Sequence, residues 1–517
     1  MRSLHEPREP ALPQDVRWLV RAAMAAIALS VTLMLLVGLA GPSAAVPTTP
    51  GTSGWPPYAG HLALPGAGVT FLTWAMILVG AAGVAAGLVA VLRGWRPRPR
   101  NLIIGSMLAV VALTLAPPIG STDMLDYAVY GRIAALGHSP YRITPAELRR
   151  SGDPIGAIAP VPWEHDPSVY GPLATVTEKA ASELGGTSAG LTLFWLKMWS
   201  GIAYLAVVAA LDRLLRSEAG RRARAHLLWS VNPLMLLAVM AGGHVDGLAA
   251  AAGVAGLLAL RRMDVRGGLL AGLLVGAAVA VKAPLALFGF GLVWAAYRSP
   301  RVLAAVGVGA TIVLVPSYLL AGGRPALVAQ VKRGNAGVDL YQPWQFLYRA
   351  LDWHDPSQRT DLLGVVAAVL LAALLLARLP EGPPELPAIR PSLALSLAWL
   401  VTSPQQRPWF DAMLFPLLAV MPATRLDWIA MGRAVVGGVA ELPGVTFYTL
   451  LRPPWLAQAD DAVARGLAPL ALLAIAVALI WLCITGRWLS GLSAAAPPPR
   501  AGCSQAKATE EPSGRST

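Results

Sequence analysis

The sequence predicts an all-α fold: a polytopic helical membrane protein with about 12–14 transmembrane helices. Of its 517 residues, 56% are hydrophobic and only 13% are charged, whereas about 25% are charged in a typical soluble domain. Many windows of about 20 residues are apolar enough to cross a bilayer core. The basic residues lie in the connections between these windows, as in multi-pass membrane proteins.

The apolar windows can be followed along the chain. The clearest are residues 22–40, 68–92, 102–117, 191–211, 302–320, 361–378 and 467–485. The first window is long and is not followed by a convincing cleavage site, so it is predicted to be an anchor rather than a removed signal peptide.

Charge placement predicts the orientation in the cell membrane. Four basic connections recur at alternate positions, namely RGWRPRPR (93–100), DRLLRSEAGRRAR (212–224), RRMDVR (261–266) and RSPR (298–301). The positive-inside rule makes them cytoplasmic, and the connection 42–67, which has no Lys or Arg, is then outside. Both termini are predicted to be cytoplasmic. Because the net charge of +13 is dispersed, it does not indicate a nucleic-acid partner.

The domain organisation follows from these segments and from the composition of the chain ends, which are rich in Pro, Ser and charge. Four regions are predicted: a disordered cytoplasmic N-terminus (1–15), an N-terminal transmembrane catalytic region (16–300) with a large outer loop (118–190), a C-terminal transmembrane region (301–490) with an outer loop (320–360), and a disordered cytoplasmic tail (491–517). Cys483 and Cys503 are not placed to form a disulfide.

The outer loop opens with STDMLDYAVYGRIAALGHSPY (121–141), which directly follows an apolar window. Asp123, Asp126, Tyr127 and Tyr130 have the spacing i, i+3, i+4 and i+7, which predicts one polar and aromatic stripe on a helix. Such a stripe suits a wall that holds a sugar. Alternatively, Asp123 is a helix N-cap and Asp126 occupies the N3 position. The two roles are compatible, because a capping carboxylate is also oriented and kept ionised.

Other polar motifs fall on the same predicted outer face: WEHDPSVYGPL (163–173), GGHVDG (242–247), VKAPL (281–285) and SPQQRPWFD (403–411). The plain alternatives are an exposed loop for 163–173, a polar turn for 242–247 and an interfacial lysine for Lys282. Lys282 interrupts an apolar segment, and Pro284 predicts a helix break there. The cytoplasmic connections are short and Arg-rich, so a substrate site is predicted on the outer face.

A family resemblance rests on four motifs that occur in this order along the chain: DMLDYAVYGRIAALGHSPY, DPSVYGPL, NPLMLLAVMAGGHVDGLAAAAGVAGLLAL and AVAVKAPLALFGFGLVW. Together they resemble the actinobacterial polyprenol-phosphate-mannose-dependent α-1,6-mannosyltransferases of the mannan and lipomannan pathway. The resemblance is close over residues 100–300 and weaker over 300–485. It implies a helical membrane fold with an outer active site, a polyprenyl-phosphate sugar donor, and a mannan or lipoglycan acceptor.

The resemblance also implies a catalytic acidic residue in the first large outer loop, which by position is Asp123. The chemistry needs a carboxylate base for the acceptor hydroxyl and a cation near the departing phosphate, for which Lys282, Arg407 and His244 are candidates. The predicted substrate-binding residues are Asp126, Tyr127, Tyr130, Arg132, Tyr141, Asp166, Tyr170, His244, Asp246, Lys282, Arg407 and Trp409.

Alternatives to this function stay open at the level of the sequence. A transporter or flippase for lipid-linked sugars would explain the many spans, but it predicts internal repeats and midplane polar sites, and we find neither in the sequence. A scaffold subunit would need no acidic site. An enzyme of the same class using another sugar, such as arabinose, is also consistent. No cofactor is required, and the two aspartates leave a divalent cation as an alternative.

Overall fold

A computed structural model describes residues 12–49, 54–59, 62, 64–160, 163–332, 338–351, 357–442 and 453–488. All regular secondary structure within these ranges is helical, which confirms the predicted all-α class. The predicted disordered tail and residues 1–11 of the predicted disordered N-terminus lie outside the described residues, as do 333–337 and 352–356 of the second predicted outer loop.

The described helices differ greatly in length, and several are broken by short 3-10 or π-helical turns. The α-helices are α1 Gln14–Leu39, α2 Gly66–Leu92, α3 Pro99–Leu115, α4 Asp123–Ala135, α5 Pro145–Arg150, α6 Pro172–Gly185, α7 Ala189–Leu214, α8 Ala219–Ala225, α9 Pro233–Met235, α10 Asp246–Ala259, α11 Val265–Val281, α12 Ala286–Ala296, α13 Pro300–Leu320, α14 Arg324–Lys332, α15 Trp344–Ala350, α16 Ser357–Arg378, α17 Ile389–Thr402, α18 Phe415–Val420, α19 Leu426–Glu441, α20 Pro454–Ala462 and α21 Ala468–Thr485.

Six described helical segments are long and apolar enough to cross a membrane: Gln14–Leu39, Gly66–Leu92, Ala189–Leu214, Ala219–Ala241, Pro300–Leu320 and Pro454–Thr485. Seven further apolar helices of 10–17 residues accompany them in the described part of the chain. One of the short pairs is α11 and α12, which the sequence predicts to be broken at the lysine of VKAPL. The structure confirms this break, because α11 ends at Val281 and Lys282 has an extended backbone.

Helices that lie close together in the chain pack against each other: α1 lies along α2, α10 along α11, and α11 along α13. Small residues allow this close packing, as is usual between membrane helices. A Cβ atom added to Gly272 of α11 would lie 2.1 Å from the carbonyl oxygen of Val306, and one added to Gly309 of α13 would lie 2.2 Å from that of Leu269. The two helix backbones are therefore in direct contact.

Helix α4, which carries the first polar motif, is not one of the long apolar segments. It packs on α6 and also contacts α7, and most of its residues are buried. The crossing of α4 and α6 depends on Gly131, because a Cβ atom there would lie 2.2 Å from the backbone oxygen of Glu178. The position of α4 on the bundle is thus set by a backbone contact.

We expect Gly131→Ala to lower stability by about 1–3 kcal/mol, because the added methyl group forces α4 away from α6. The melting temperature of the detergent-purified protein measures this. Gly105→Ala is the matched control, since its nearest neighbour, Val231, is 3.9 Å from the added Cβ atom and alanine favours a helix by about 1 kcal/mol over glycine. Equal melting temperatures for the two variants would contradict the expectation.

Candidate active site

The segment that leads into α4 is held by backbone hydrogen bonds and by one buried lysine. Lys197 of α7 is fully buried, and its Nζ donates to the carbonyl oxygens of Ala116, at 2.6 Å, and Pro117, at 3.2 Å. The N–H of Ile119 donates to Ala241 O at 3.0 Å. These bonds fix the segment before α4 against α7 and against Ala241, the residue that directly precedes the GGHVDG turn.

Asp123 is the first residue of α4, and Thr122 occupies the N-cap position without a side-chain capping bond. The expectation that Asp123 caps the helix is therefore wrong. Ser121 Oγ instead accepts from the Asp123 N–H at 3.1 Å, and Tyr170 lies close to the Asp123 carboxylate. Asp123 consequently presents its carboxylate to the residues that surround the helix end.

Two tyrosines and a histidine lie beside this carboxylate. The rings of Tyr127 and Tyr170 meet edge to face, with centroids 4.8 Å apart. His244 Nδ1 is 3.4 Å from the Tyr127 hydroxyl and 3.6 Å from Asp123 Oδ2. The sequence places these residues in three separate motifs, and the fold joins them into one cluster.

Trp409 closes the cluster from the C-terminal part of the chain. Its ring stacks on His244, with centroids 3.7 Å apart and an interplanar angle of 12°. On the other side, a Cβ atom on Gly242 would lie 2.6 Å from the His244 ring, so the imidazole is held between the indole and the backbone. Burial, followed by the charges of Lys282 and Arg407, lowers the pKa of His244 well below its usual value. His244 is therefore neutral and can accept or donate one hydrogen bond at each ring nitrogen according to its tautomer.

Lys282, at the break between α11 and α12, forms an ion pair with Asp246, the first residue of α10. Its Nζ lies 2.8 and 2.7 Å from the two carboxylate oxygens of Asp246, and both side chains are largely buried. The ammonium group also lies 4.3 Å from the ring centroid of Phe410 and 5.8 Å from that of Tyr170. The predicted helix break thus places a cation beside the aromatic wall of the cluster.

Arg407 is the second cation of the site and is held by two carboxylates. Its guanidinium group lies 3.1 Å from Asp339 Oδ1 and 2.8 and 3.0 Å from the oxygens of Glu441. The Gln406 N–H donates to Asp339, and Tyr341 donates to the Gln406 carbonyl oxygen. This network fixes the backbone of the SPQQRPWFD motif and with it the position of the guanidinium group.

The electrostatic environment distinguishes the two aspartates of the first motif. Burial raises the pKa of Asp123, while Arg407 and Lys282 act in the opposite direction. For Asp126, burial raises the pKa well above the usual aspartate value, and the charges of Asp123, Asp166 and Glu178 raise it further. The environment of Asp126 therefore favours its protonated form, whereas Asp123 has two cations nearby that favour its ionised form.

Asp126 and Tyr130 have neighbours outside the cluster, namely Glu178 of α6 for Asp126 and the loop at Asp166 for Tyr130. Asp126 is buried, with one carboxylate oxygen lacking a hydrogen-bond partner in the described part of the chain, and both carboxylate oxygens of the buried Glu178 are likewise unpartnered there. The Tyr130 hydroxyl donates to the backbone oxygen of Asp166 at 2.9 Å. The expected single stripe thus divides into two pairs that point to different neighbours.

Arg132 and Tyr141 also lie apart from the cluster. Arg132 Nε is 2.8 Å from Asp153 Oδ2, and the Tyr141 hydroxyl is 3.0 Å from Thr175 Oγ1. The first contact holds the large loop against α4, and the second holds it against α6.

The acidic residues do not converge on a cation position. Among the described residues there is no group of three or more His, Cys, Asp or Glu side chains that could hold a metal ion. Asp123 and Asp126 have different neighbours, so the structure adds no support to the alternative that they share a divalent cation.

Several residues of the site lie outside the sequence-based prediction: Lys197, Asp339, Glu441, Asp411 and Arg433. Arg433 of α19 pairs with the fully buried Asp411 and donates to Gln406 Oε1 at 2.8 Å. For Lys197 and Arg433 a signal exists in the sequence, because an ionisable residue within an apolar segment is a candidate functional position. Asp339 and Glu441 carry no such signal.

A narrow apolar cavity of about 20 Å³ lies directly beside His244 and Trp409. Its other walls are mainly aliphatic and come from α2, from the π-helical turn that precedes GGHVDG, and from α19: Ile77, Ile119, Gly120, Leu234, Met235, Leu237, Ala238, Pro408, Ala434, Gly438 and Leu442. A polar cluster and a hydrocarbon-lined cavity therefore share one boundary.

Comparison with known proteins gives concordant matches. The model of the alpha-(1->6)-mannopyranosyltransferase family, N-terminal domain, matches residues 20–298. A probable alpha-(1->6)-mannopyranosyltransferase of Mycolicibacterium smegmatis is 31% identical over 159 residues, which cover 31% of this chain and 28% of that protein. An alpha-(1->6)-mannopyranosyltransferase of Mycobacterium tuberculosis is 28% identical over 158 residues, covering 30% of this chain and 27% of that protein.

The aligned part therefore spans less than a third of the length of either relative. The family match is broader: it covers more than half of the 517 residues and includes Asp123, Tyr170, His244 and Lys282. The resemblance seen in the four sequence motifs is thereby confirmed, and the chain belongs to the alpha-(1->6)-mannopyranosyltransferase family.

Proposed function

We propose that this protein is a membrane mannosyltransferase that transfers mannose from polyprenyl-phosphate mannose to an α-1,6-mannan or lipomannan acceptor. The observation that carries the proposal is the position of Asp123, whose partly buried carboxylate lies among Tyr170, His244 and two cations. Family membership supports mannosyl transfer, and the cavity beside His244 suits a lipid-linked donor. The predicted orientation places this end of the bundle on the outer face of the cell membrane.

In the proposed reaction, a hydroxyl oxygen of the acceptor attacks the anomeric carbon of the donor. A new carbon–oxygen bond forms as the bond between that carbon and the phosphate oxygen breaks, and the phosphate leaves with both electrons. Asp123 takes the proton of the attacking hydroxyl as general base. A single displacement inverts the anomeric centre, so a β-linked donor gives an α-linked product without a covalent enzyme intermediate.

Lys282 and Arg407 are the proposed contacts for the phosphate. Both act on Asp123 through their charge, so they lie close enough to the base to stabilise negative charge that develops on the leaving group. Their carboxylate partners, Asp246 for Lys282 and Asp339 and Glu441 for Arg407, keep the two cations in fixed positions. The two cations are therefore already in place to stabilise the negative charge on the leaving phosphate, unlike mobile residues at a protein surface.

The aromatic residues and the apolar cavity account for the rest of the substrate. Tyr127 and Tyr170 supply a wall on which a sugar ring can pack, and Trp409 separates this wall from the aliphatic cavity. The first units of a polyprenyl chain are hydrocarbon, which matches the aliphatic side chains of Ile77 and Leu234 that line this cavity.

The proposal is tested with the purified full-length protein, polyprenyl-phosphate [14C]mannose and an α-1,6-linked mannan oligosaccharide. We expect a labelled product one hexose longer, whose label is released by an exo-α-1,6-mannosidase. A sugar nucleotide donor should give no product. Product from polyprenyl-phosphate arabinose alone would reassign the sugar, whereas movement of the lipid across liposomes without any product would favour a flippase.

A further inference from the structure

A second cleft, of about 230 Å³, lies at the other end of helices α2 and α19 from the candidate active site. Along α2, Ile77 lines the cavity beside His244 and Val91 lines this cleft, a separation of about 20 Å along the helix axis. Along α19, Gly438 lines the former and Asp427 the latter. The residues of the cleft are Leu88, Val91, Leu92, Arg96, Gly220, Arg221, Arg224, Ala423, Thr424, Asp427 and Trp428.

Three arginines line this cleft, and one of them has a structural role. Arg224 is buried and pairs with Asp427, with 2.7 Å between Nε and Oδ2, and it also donates to the carbonyl oxygens of Met421, at 2.8 Å, and Leu418, at 3.0 Å. Its donors and its charge are therefore satisfied within the protein. Arg224 joins α8 to α19 and fixes the floor of the cleft.

Arg221 retains an unused donor. Its two terminal nitrogens donate to Glu218 Oε1 and to the carbonyl oxygen of Val420, both at 2.6 Å. Its Nε atom is buried and has no hydrogen-bond partner among the residues that the structure describes. A buried N–H without a partner is costly, so an acceptor brought by a ligand would stabilise this arrangement.

The positive charge of Arg96 is not neutralised by a carboxylate of the described residues. Its Nη1 donates to the carbonyl oxygens of Val91, at 2.7 Å, and Trp95, at 2.9 Å, and within the described ranges no carboxylate forms an ion pair with it. The guanidinium group lies over the first turn of α8, where a Cβ atom on Gly220 would be 3.1 Å from its Cζ. Gly220 thus allows Arg96 to approach Arg221 across the cleft.

We propose that this cleft binds the phosphate of an anionic phospholipid headgroup. Arg96 supplies a charge that no carboxylate of the described residues neutralises. Arg221, which pairs with Glu218, supplies its unpartnered Nε–H, and the Thr424 hydroxyl adds a neutral polar group. The walls formed by Leu88 and Leu92 continue the apolar surface along which an acyl chain can lie. The charged connections that contain both arginines are predicted to be cytoplasmic, where anionic lipids attract basic residues and basic pockets between transmembrane helices bind such headgroups.

This inference is independent of the proposed transferase function, because the cleft is remote from Asp123. The test uses native mass spectrometry of the full-length protein in detergent, titrated with phosphatidylglycerol or with phosphatidylcholine. Inorganic phosphate is added in a parallel titration to separate a headgroup from a free anion. Wild type should retain phosphatidylglycerol in preference to phosphatidylcholine.

Arg96→Gln with Arg221→Gln should weaken phosphatidylglycerol binding by about 25-fold, from about fivefold for each arginine. Arg93→Gln is the matched control, because Arg93 lies on the same connection but pairs with Asp15 at 3.3 Å and does not line the cleft. Arg96→Gln alone should weaken binding by about fivefold, because it removes the charge that has no carboxylate partner. It also serves as the test if the double variant does not fold.

Unchanged phosphatidylglycerol binding in the double variant, or in Arg96→Gln alone, would overturn the proposal. Equal retention of phosphatidylglycerol and phosphatidylcholine would also overturn the lipid assignment. If inorganic phosphate bound in that case, and the double variant lost it, the cleft would be a site for free phosphate rather than for a headgroup.

Discussion

Asp123→Asn is expected to lower the rate of mannosyl transfer by about 10²–10⁴-fold, the usual contribution of a positioned general base. Asparagine preserves the size of the side chain, but it cannot take the proton of the attacking hydroxyl. Initial rates with polyprenyl-phosphate [14C]mannose measure the effect. Because binding of the donor depends on other groups, donor affinity should change much less than turnover.

Asp126→Asn is the matched control on the same helix. Burial and three neighbouring acidic residues hold the pKa of Asp126 well above its usual value, so asparagine resembles the protonated side chain that this environment favours. We expect nearly unchanged transfer and stability. Full transfer activity in Asp123→Asn, with normal expression and a normal melting temperature, would remove the catalytic assignment and favour a scaffold or transporter.

Lys282→Met is expected to cost about 3–5 kcal/mol of stability, because it leaves the carboxylate of Asp246 buried without its partner. Transfer activity should be lost as well. The double variant Lys282→Met with Asp246→Leu removes both charges, and we expect most of the stability to return, since an apolar pair can replace a buried ion pair. The melting temperature and the transfer rate of the single and double variants are measured together.

The two measurements separate a structural role of this pair from a role in the reaction. If Lys282 contacts the donor phosphate, the double variant is stable and remains at least about 100-fold less active, the loss typical of a preorganised electrostatic contact. Lys282→Arg retains the charge and serves as the conservative control. Wild-type activity in the double variant would show that the pair only holds α10 against the break after α11.

Much of this site could be anticipated from local patterns. The motifs that contain Asp123, His244, Lys282 and Trp409 stand out because polar or ionisable residues interrupt apolar segments. The structure brings these motifs into one cluster at one end of the bundle. Their roles in substrate binding and catalysis remain predictions.

The prediction of a single polar and aromatic stripe on α4 failed for a geometric reason. Residues three apart on a helix differ by about 60° in direction and residues four apart by about 40° on the other side, so a stripe at i, i+3, i+4 and i+7 is wide enough to serve two neighbours. In α4 the pair Asp123 and Tyr127 faces His244, whereas Asp126 and Tyr130 have neighbours in α6 and in the loop at Asp166. Only the position of α6, set by the contact at Gly131, decides which pair faces which neighbour.

Long-range partners were not accessible to local pattern reading. Asp339 and Glu441 are ordinary acidic residues in the sequence, one in a connection and one at the end of α19. Their meeting at Arg407 depends on the packing of the C-terminal helices, and no spacing rule relates them. Lys197 does carry a local signal, but its partners are carbonyl oxygens about eighty residues away, which no side-chain pattern reveals.

The stacking of Trp409 on His244 has a consequence for biosynthesis. During translation, a chain that has reached the end of α12 already contains Asp123, His244 and Lys282, but the indole and Arg407 are still to be synthesised. Membrane insertion of the first half therefore gives a site open on the side that Trp409 later covers. The nascent protein acquires its complete set of charges and its closed aromatic wall only when the ribosome has passed α19.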